Sequence, residues 1–470
     1  MKKYCVKIFG CQMNYSDAER ITSVLNSEGW QRAEDLAEAD AVFLVTCSVR
    51  QKAEDKAFGL LHNLKKWKAE KNGRKVGLTG CMVRRTSSQT DTKKDTLLQR
   101  SEVLDFVWQI EDSTKLPRLL DSQLPANCQL SVVNPVELPT ADYFSIQPTR
   151  QNPAQVSIPI MTGCDNFCSY CIVPHARGRE ISRSEEEILA ECAEAVRNGA
   201  IEITLLGQNV DSFQKTRGAF AKLLAKVAAI PNLKRLRFSS SHPKDFDESV
   251  IAVMAANENI ERHLHLPAQH GDDGILKKMN RNYTAKHYLN LVEKFREENP
   301  HSSITTDLIV GFPGESEEAF EHLLNFYRAA NFDFAFFSKY SPRPNTTAAK
   351  LPNDVDSKLK AERWHRLNDL MIATTSKKYA KLKNKTLEVL VEKANCPPAE
   401  AEAKAGHSLE TCPHESGGRE SRKNKRCICE GRSSEFFLVK FEGGENLIGK
   451  LVNVKITQPR EVELWGEIAK

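Results

Sequence analysis

The stretch VSIPIMTGCDNFCSYCIVPHARGRE, residues 156–180, decides how the rest of the chain is read. It opens with an apolar run, Val156–Met161, that reads as a β-strand. Gly163 follows, and then Cys164, Cys168 and Cys171 at the spacing C-x3-C-x2-C. Three thiolates within one short loop point to a metal. A zinc site usually takes four ligands in two pairs, and no matching second pair follows nearby. A cubane iron–sulfur cluster takes one thiolate per iron, so three thiolates leave one iron open to an outside ligand. The blander alternative is a small zinc site or buried cysteines.

Downstream of this loop the apolar runs repeat. Ile201–Leu206, Arg235–Phe238, His263–Leu266, Ile304–Val310 and Phe334–Tyr340 read as further strands, and helical patterns separate most of them. Ser184–Asn198 is the cleanest helix, with Ser184 as cap, acidic residues in its first turn and Gly199 beyond its end. Residues 150–380 are therefore expected to form a partial (β/α)6 barrel. The loops at the C-terminal ends of its strands are where such a barrel places its chemistry.

Upstream, residues 1–125 read as an open α/β sheet, with strands at Tyr4–Phe9, Ala41–Val45 and Val76–Leu78 and helices at Ser16–Gly29 and Gln51–Lys71. Cys11, Cys47 and Cys81 each follow one of these strands. In a parallel sheet such turns lie along one edge, so three thiolates distant in sequence can meet. Separate buried cysteines are the alternative here. Residues 121–153 hold several prolines and read as a linker. Residues 381–470 read as a small antiparallel β-barrel with strands at Leu387–Val391, Phe436–Phe441, Leu451–Ile456 and Leu464–Ile468. A polar insertion at 395–430 interrupts it and reads as mobile. It carries Cys396, Cys412, Cys427, Cys429, His407 and His414, at a spacing that matches no metal pattern, and it ends in a basic run.

Bulk properties fit this division. At 470 residues the chain is long enough for about three domains. With 40% hydrophobic and 27% charged residues it is neither disordered nor collagen-like. No apolar run is long enough to span a bilayer, and Asn14, Asp17 and Glu19 interrupt any signal-peptide core. The expectation is a cytoplasmic protein with no membrane partner. Thirteen cysteines, an odd and widely spaced set, do not suit a disulfide scaffold. A net charge of +5 permits a polyanionic partner without requiring one.

The C-x3-C-x2-C loop at this place in a βα chain resembles the radical S-adenosylmethionine superfamily. The resemblance narrows with Gly-Cys11-Gln-Met-Asn14, Thr-Cys47-Ser-Val-Arg50 and Gly-Cys81-Met. With CDNFCSYCIVPHARGRE (164–180), LLGQNVDSF (205–213), RFSSSHP (237–243), HLPAQHGD (265–272), TDLIVGFPGE (306–315) and YSPRPNTTAAK (340–350), they are similar to the methylthiotransferase family, most of all its tRNA branch. The C-terminal GRSSEFFLVKF and LIGKLVNVKI look like that family's TRAM domain, a small RNA-binding barrel.

The resemblance implies that Cys164, Cys168 and Cys171 hold a radical [4Fe–4S] cluster and that Cys11, Cys47 and Cys81 hold an auxiliary one. It implies two molecules of S-adenosylmethionine. One methylates a sulfur on the auxiliary cluster, and the other supplies the radical that takes hydrogen from C2 of adenine. The implied substrate is N6-dimethylallyl-adenosine at position 37 in a tRNA anticodon stem-loop. An electron donor, a sulfur and cluster supply and a monomeric enzyme are implied with it. Tyr170, Gly207, Gln208, Ser240, His242 and Gly311 are the expected contacts to S-adenosylmethionine or substrate, and Arg177 and Arg179 meet phosphate or form a solvated pair. The same-family alternatives act on threonylcarbamoyl-adenosine in tRNA or on a ribosomal protein. The different-class alternative is a non-catalytic RNA-binding protein with structural metal. The chain departs from the family's usual residues at Val45, His270 and Asn345 and in the insertion at 395–430.

Overall fold

The structure, a computed structural model, describes residues 1–49, 51–83, 101–121, 142–396 and 427–469. Strands β1 (Lys3–Phe9), β2 (Gln31–Arg32), β3 (Ala41–Thr46), β4 (Lys75–Gly80) and β5 (Phe106–Val107) form a parallel sheet in the order β2-β1-β3-β4-β5. Central β3, AVFLVT, is buried at every position, as a strand covered on both faces must be. Its period-two alternation feeds two cores. Val42 and Leu44 pack with Ala57, Leu61, Leu64 and Trp67 of the helix Gln51–Ala69. Ala41, Phe43 and Val45 pack with Ala18, Ile21 and Leu25 of helix α1 (Gln12–Ser27).

Strand β6 (Gln155–Pro159) opens the central unit. A short antiparallel pair, β7 (Met161–Thr162) and β8 (Ile181–Ser182), closes the base of the cysteine loop. Strands β9 (Glu202–Leu206), β10 (Arg235–Phe238), β11 (His263–His265), β12 (Ser303–Val310) and β13 (Phe334–Lys339) follow. They pair in parallel as β10-β9-β6 and β11-β12-β13, and a parallel bridge between Leu236 and Ile260 joins the two halves. The result is the expected six-stranded partial barrel. Ser184 caps the helix Glu185–Arg197 in a capping box with Glu187, and Gly199 lies at φ +98°. The span expected to be a linker is more ordered where it is described: Asp142–Ser145 is a helical turn, and Tyr143 is buried in the N-terminal core.

The helix Ser357–Ala380 leads to a closed five-stranded barrel of β14 (Thr386–Asn395), β15 (Cys427–Ser433), β16 (Leu438–Gly443), β17 (Leu451–Pro459) and β18 (Leu464–Ile468), ordered β14-β15-β16-β18-β17. Two features differ from expectation. The β16–β18 seam is parallel. Strand β15, CICEGRS, begins inside the span read as mobile, and its alternate residues Cys427, Cys429, Gly431 and Ser433 point into the barrel. Cys396 and Cys427 are joined by a disulfide that their spacing did not signal; one bridge does not make a disulfide scaffold. Cys412, His407, His414 and the basic run lie outside the described residues, as does Cys128. The barrel docks at the N-terminal ends of the central strands. There Arg235 donates to Glu388 O and Arg432 O, Arg237 donates to Ser433 O, and Phe436 stacks on His263 with ring centres 4.4 Å apart. Among the described residues no helix is long and apolar enough to cross a membrane.

Candidate iron–sulfur site

The three N-terminal cysteines follow adjacent parallel strands whose ends are in register: Phe9 opposes Thr46, and Thr46 opposes Gly80. The carbonyl of Thr46 is the hub. It accepts both the Cys81 N–H at 2.8 Å and the Asn14 Nδ2–H at 3.1 Å. Asn14 Oδ1 in turn accepts the Cys11 N–H at 3.1 Å. This explains the Gly-Cys-x-x-Asn motif, because a Cβ on Gly10 would stand 1.9 Å from Asn14 Oδ1. It also explains Gly80, which has φ +93° and whose added Cβ would meet Thr46 O at 2.3 Å. Cys47 Sγ accepts the Val49 N–H at 3.4 Å. The three thiols lie close enough to perturb one another. Cys47 hydrogen-bonds to Cys81, which pushes its own pKa up and that of Cys81 down, while burial and then Cys81 raise Cys11.

The second triad sits in the loop after β7. Cys164 N–H donates to Gly178 O, and Gly163 packs directly against the backbone of Gly178 and Arg179. Asn166 donates to Asp245 at 3.0 Å and Asn209 donates to the same oxygen at 2.7 Å, tying this loop to those after β9 and β10. Buried Arg281 donates to Cys168 Sγ at 3.5 Å and to Pro267 O at 2.6 Å. His242 Nε2 stands 3.9 Å from the same sulfur, and burial, with Arg281 beside it, holds this imidazole well below its usual range. Burial pushes the Cys164 thiol up to about 11 and the Cys171 thiol up to about 12.

The other expected contacts gather at the same end of the barrel. Gly207 closes β9, where a Cβ would strike Met161. Ser240 lies beyond β10 at φ +71°, and Phe167 and Gln269 also hold positive φ at this end, a strained backbone typical of ligand loops. Gly311 follows β12 at φ +71° against Lys360, and its N–H donates to Glu315 Oε2 at 2.8 Å. Tyr170 is partly buried beside Ile275 and Phe312. Arg177 meets neither phosphate nor solvent: it is buried and pairs with Asp17 Oδ2 at 2.5 Å. Arg179 is exposed and lies over Phe167. Asn345 takes φ +67°, and His270 is fully buried, facing Glu315 at 3.3 Å.

Residues 3–105 match the Uncharacterized protein family UPF0004, and residues 158–327 match the Radical SAM superfamily. Over 470 residues the chain is 37% identical to the tRNA-2-methylthio-N(6)-dimethylallyladenosine synthase of Thermoanaerobacter sp. (strain X514), covering 99% of this chain and 93% of that one. It is 38% identical to the synthase of the same name from Dictyoglomus thermophilum, over 100% of this chain and 99% of that one. The chain belongs to the radical S-adenosylmethionine methylthiotransferase family. Among solved structures, the radical S-adenosylmethionine methyltransferase TsrM from Kitasatospora setae shares the fold, with TM-score 0.52 at 15% identity over 74% of each chain.

Membership in this methylthiotransferase family implies an enzyme with a [4Fe–4S] cluster, S-adenosylmethionine and a second cluster. The residues present fit these groups. Each triad offers three thiols. A cubane takes one thiolate per iron, so three thiols can hold one with its fourth iron open. For S-adenosylmethionine, buried Gln208 Oε1, Asn209 Oδ1 and Glu180 Oε1 have no hydrogen-bond partner among the described residues, and such atoms await a donor. Sequence reasoning missed Arg281, Asp245 and Glu180, and also Arg343, which donates to Val49 O at 3.1 Å and to Gln51 Oε1 at 2.7 Å and so holds the Cys47 loop against the central barrel. The only local signal was Asp165 and Asn166 between two cluster cysteines, polar residues that need partners.

Proposed function

We propose that this chain is the tRNA methylthiotransferase that converts N6-dimethylallyl-adenosine at position 37 to its 2-methylthio derivative. The observation that carries the reading is its full-length likeness to synthases of that name. Cys164, Cys168 and Cys171 would hold the radical cluster, and Cys11, Cys47 and Cys81 the auxiliary one. When bound, the clusters and S-adenosylmethionine supply the one-electron chemistry and the sulfur transfer that side chains cannot perform. The chain's own residues bind and orient. Glu180, Gln208 and Asn209 present acceptors to the ammonium group of S-adenosylmethionine. Ser240 and Gly311 bring backbone close to its nucleoside. Asn166, Asp245 and Arg281 hold the cysteine loop still while the cofactor enters. The C-terminal barrel, TRAM-like in sequence, takes the phosphates of the anticodon stem-loop. An external electron donor and a sulfur supply complete the cycle, and the enzyme works in the cytoplasm as a monomer.

The test uses anaerobically reconstituted protein, S-adenosylmethionine, a reductant and two stem-loops. One carries dimethylallyl-adenosine and the other threonylcarbamoyl-adenosine. The 2-methylthio product is expected from the first alone. Product from the second alone would overturn the reading.

A further inference from the structure

One short helix physically links the two cysteine triads. Val173–Arg177 begins two residues after Cys171, and its last residue crosses into the N-terminal domain. The Arg177 side chain is 4% exposed. Its Nη2 donates to Asp17 Oδ2 at 2.5 Å, while its Nη1 makes no hydrogen bond among the described residues. Asp17 is fully buried on α1, six positions beyond Cys11. Its other oxygen is taken by the hydroxyl of buried Tyr143, over whose ring Arg20 lies at 5.3 Å. The helix that carries Asp17 begins at Cys11, its N-cap, and the Arg177 guanidinium stands within electrostatic reach of Cys81 and Cys11. A buried cation is thus held on the carboxylate of the helix that Cys11 caps, and it is supplied by the domain that carries the other triad.

We infer that Arg177 is a positioning residue of the auxiliary site: the counter-charge, fixed by Asp17, that sets the reduction potential of the cluster held by Cys11, Cys47 and Cys81. The inference rests on the two-cluster reading above. Reduction adds one negative charge to a cluster, and a buried cation alongside favours that state more than solvent would. Asp17 opposes it. Removing Arg177's charge should therefore lower the midpoint potential, and removing Asp17's charge should raise it. A residue that merely glued the domains together would move both variants in the same direction.

The experiment is a redox titration followed by electron paramagnetic resonance. One protein carries Cys164→Ala, Cys168→Ala and Cys171→Ala, leaving the auxiliary triad. Its complement carries Cys11→Ala, Cys47→Ala and Cys81→Ala. In the first, Arg177→Gln should lower the midpoint, Asp17→Asn should raise it and Arg177→Lys should stay near the parent. In the complement the same substitutions should change nothing. Shifts of one sign for Arg177→Gln and Asp17→Asn, no shift, or equal shifts in both proteins would overturn the inference. If Arg177→Gln loses its iron, Arg177→Lys should keep it; loss from both would also overturn the inference. If the parent with only the auxiliary triad binds no iron, the two-cluster reading fails first, and the inference falls with it.

Discussion

Gly80→Ala should remove the auxiliary cluster and leave the radical cluster in place. Gly80 lies at φ +93°, where an L side chain costs roughly 1–2 kcal/mol. The added methyl would also stand 2.3 Å from Thr46 O and 2.7 Å from Thr46 N, both backbone atoms that cannot rotate away. Relief to the 3.0 Å of real contacts moves β4 from β3 by about 0.7 Å, at the point where Cys47 and Cys81 leave the sheet. Such overpacking costs about 1–3 kcal/mol more, for a sum of about 2–5 kcal/mol. The shift also lengthens the 2.8 Å bond from Cys81 N–H to Thr46 O. Gly29→Ala is the control: it has φ +77° with nothing among the described residues within 4 Å, so it bears the backbone cost alone. Reconstituted Gly29→Ala should hold about eight irons and Gly80→Ala about four. Gly80→Ala should still cleave S-adenosylmethionine to 5′-deoxyadenosine while yielding no methylthio product. Eight irons in Gly80→Ala, or lost cleavage, would refute the reasoning.

Glu315→Gln should destabilise the protein by up to about 3 kcal/mol, because it removes the buried carboxylate that holds Arg363 at 2.8 Å and leaves that guanidinium only the exposed Glu317 as counter-charge. It should also weaken S-adenosylmethionine binding by loosening the Gly311 turn; thermal denaturation and equilibrium binding check the two effects. Cys396→Ser should lower the stability of the C-terminal barrel by at most about 3–4 kcal/mol, the chain-entropy value for a cross-link between residues 31 apart, with iron content unchanged. Asp211 is buried, accepts the His242 N–H at 2.8 Å and has its pKa pushed up to about 8 by burial. The folded state therefore holds a proton that the unfolded state releases near pH 4, so this group's contribution is full below pH 4 and is lost as pH rises toward 8. Asp211→Asn should flatten that slope by about 1.4 kcal/mol per pH unit, read from denaturation curves.

The sequence made the scaffold legible where burial was continuous. AVFLVT is covered at every position and SITTDLIV at all but two, and Cys47 stands where the first of these strands ends. It failed where the strand signal was short or polar. Gln31–Arg32 and Phe106–Val107 are two-residue additions to a sheet edge, and CICEGRS alternates without looking apolar. The site was legible as a set of cysteines and illegible as an electrostatic assembly. Arg177, Arg281 and Arg343 find Asp17, Cys168 and Val49 across 100 or more residues of chain, and local pattern carries no trace of such a meeting.

The most direct measurement is nucleoside mass spectrometry of tRNA from cells lacking this protein, with wild-type and Cys168→Ala copies restored in turn. Dimethylallyl-adenosine should accumulate and its 2-methylthio form should vanish, with only the wild-type copy reversing both. Normal levels of the 2-methylthio form in the deleted cells, or full rescue by Cys168→Ala, would contradict the account.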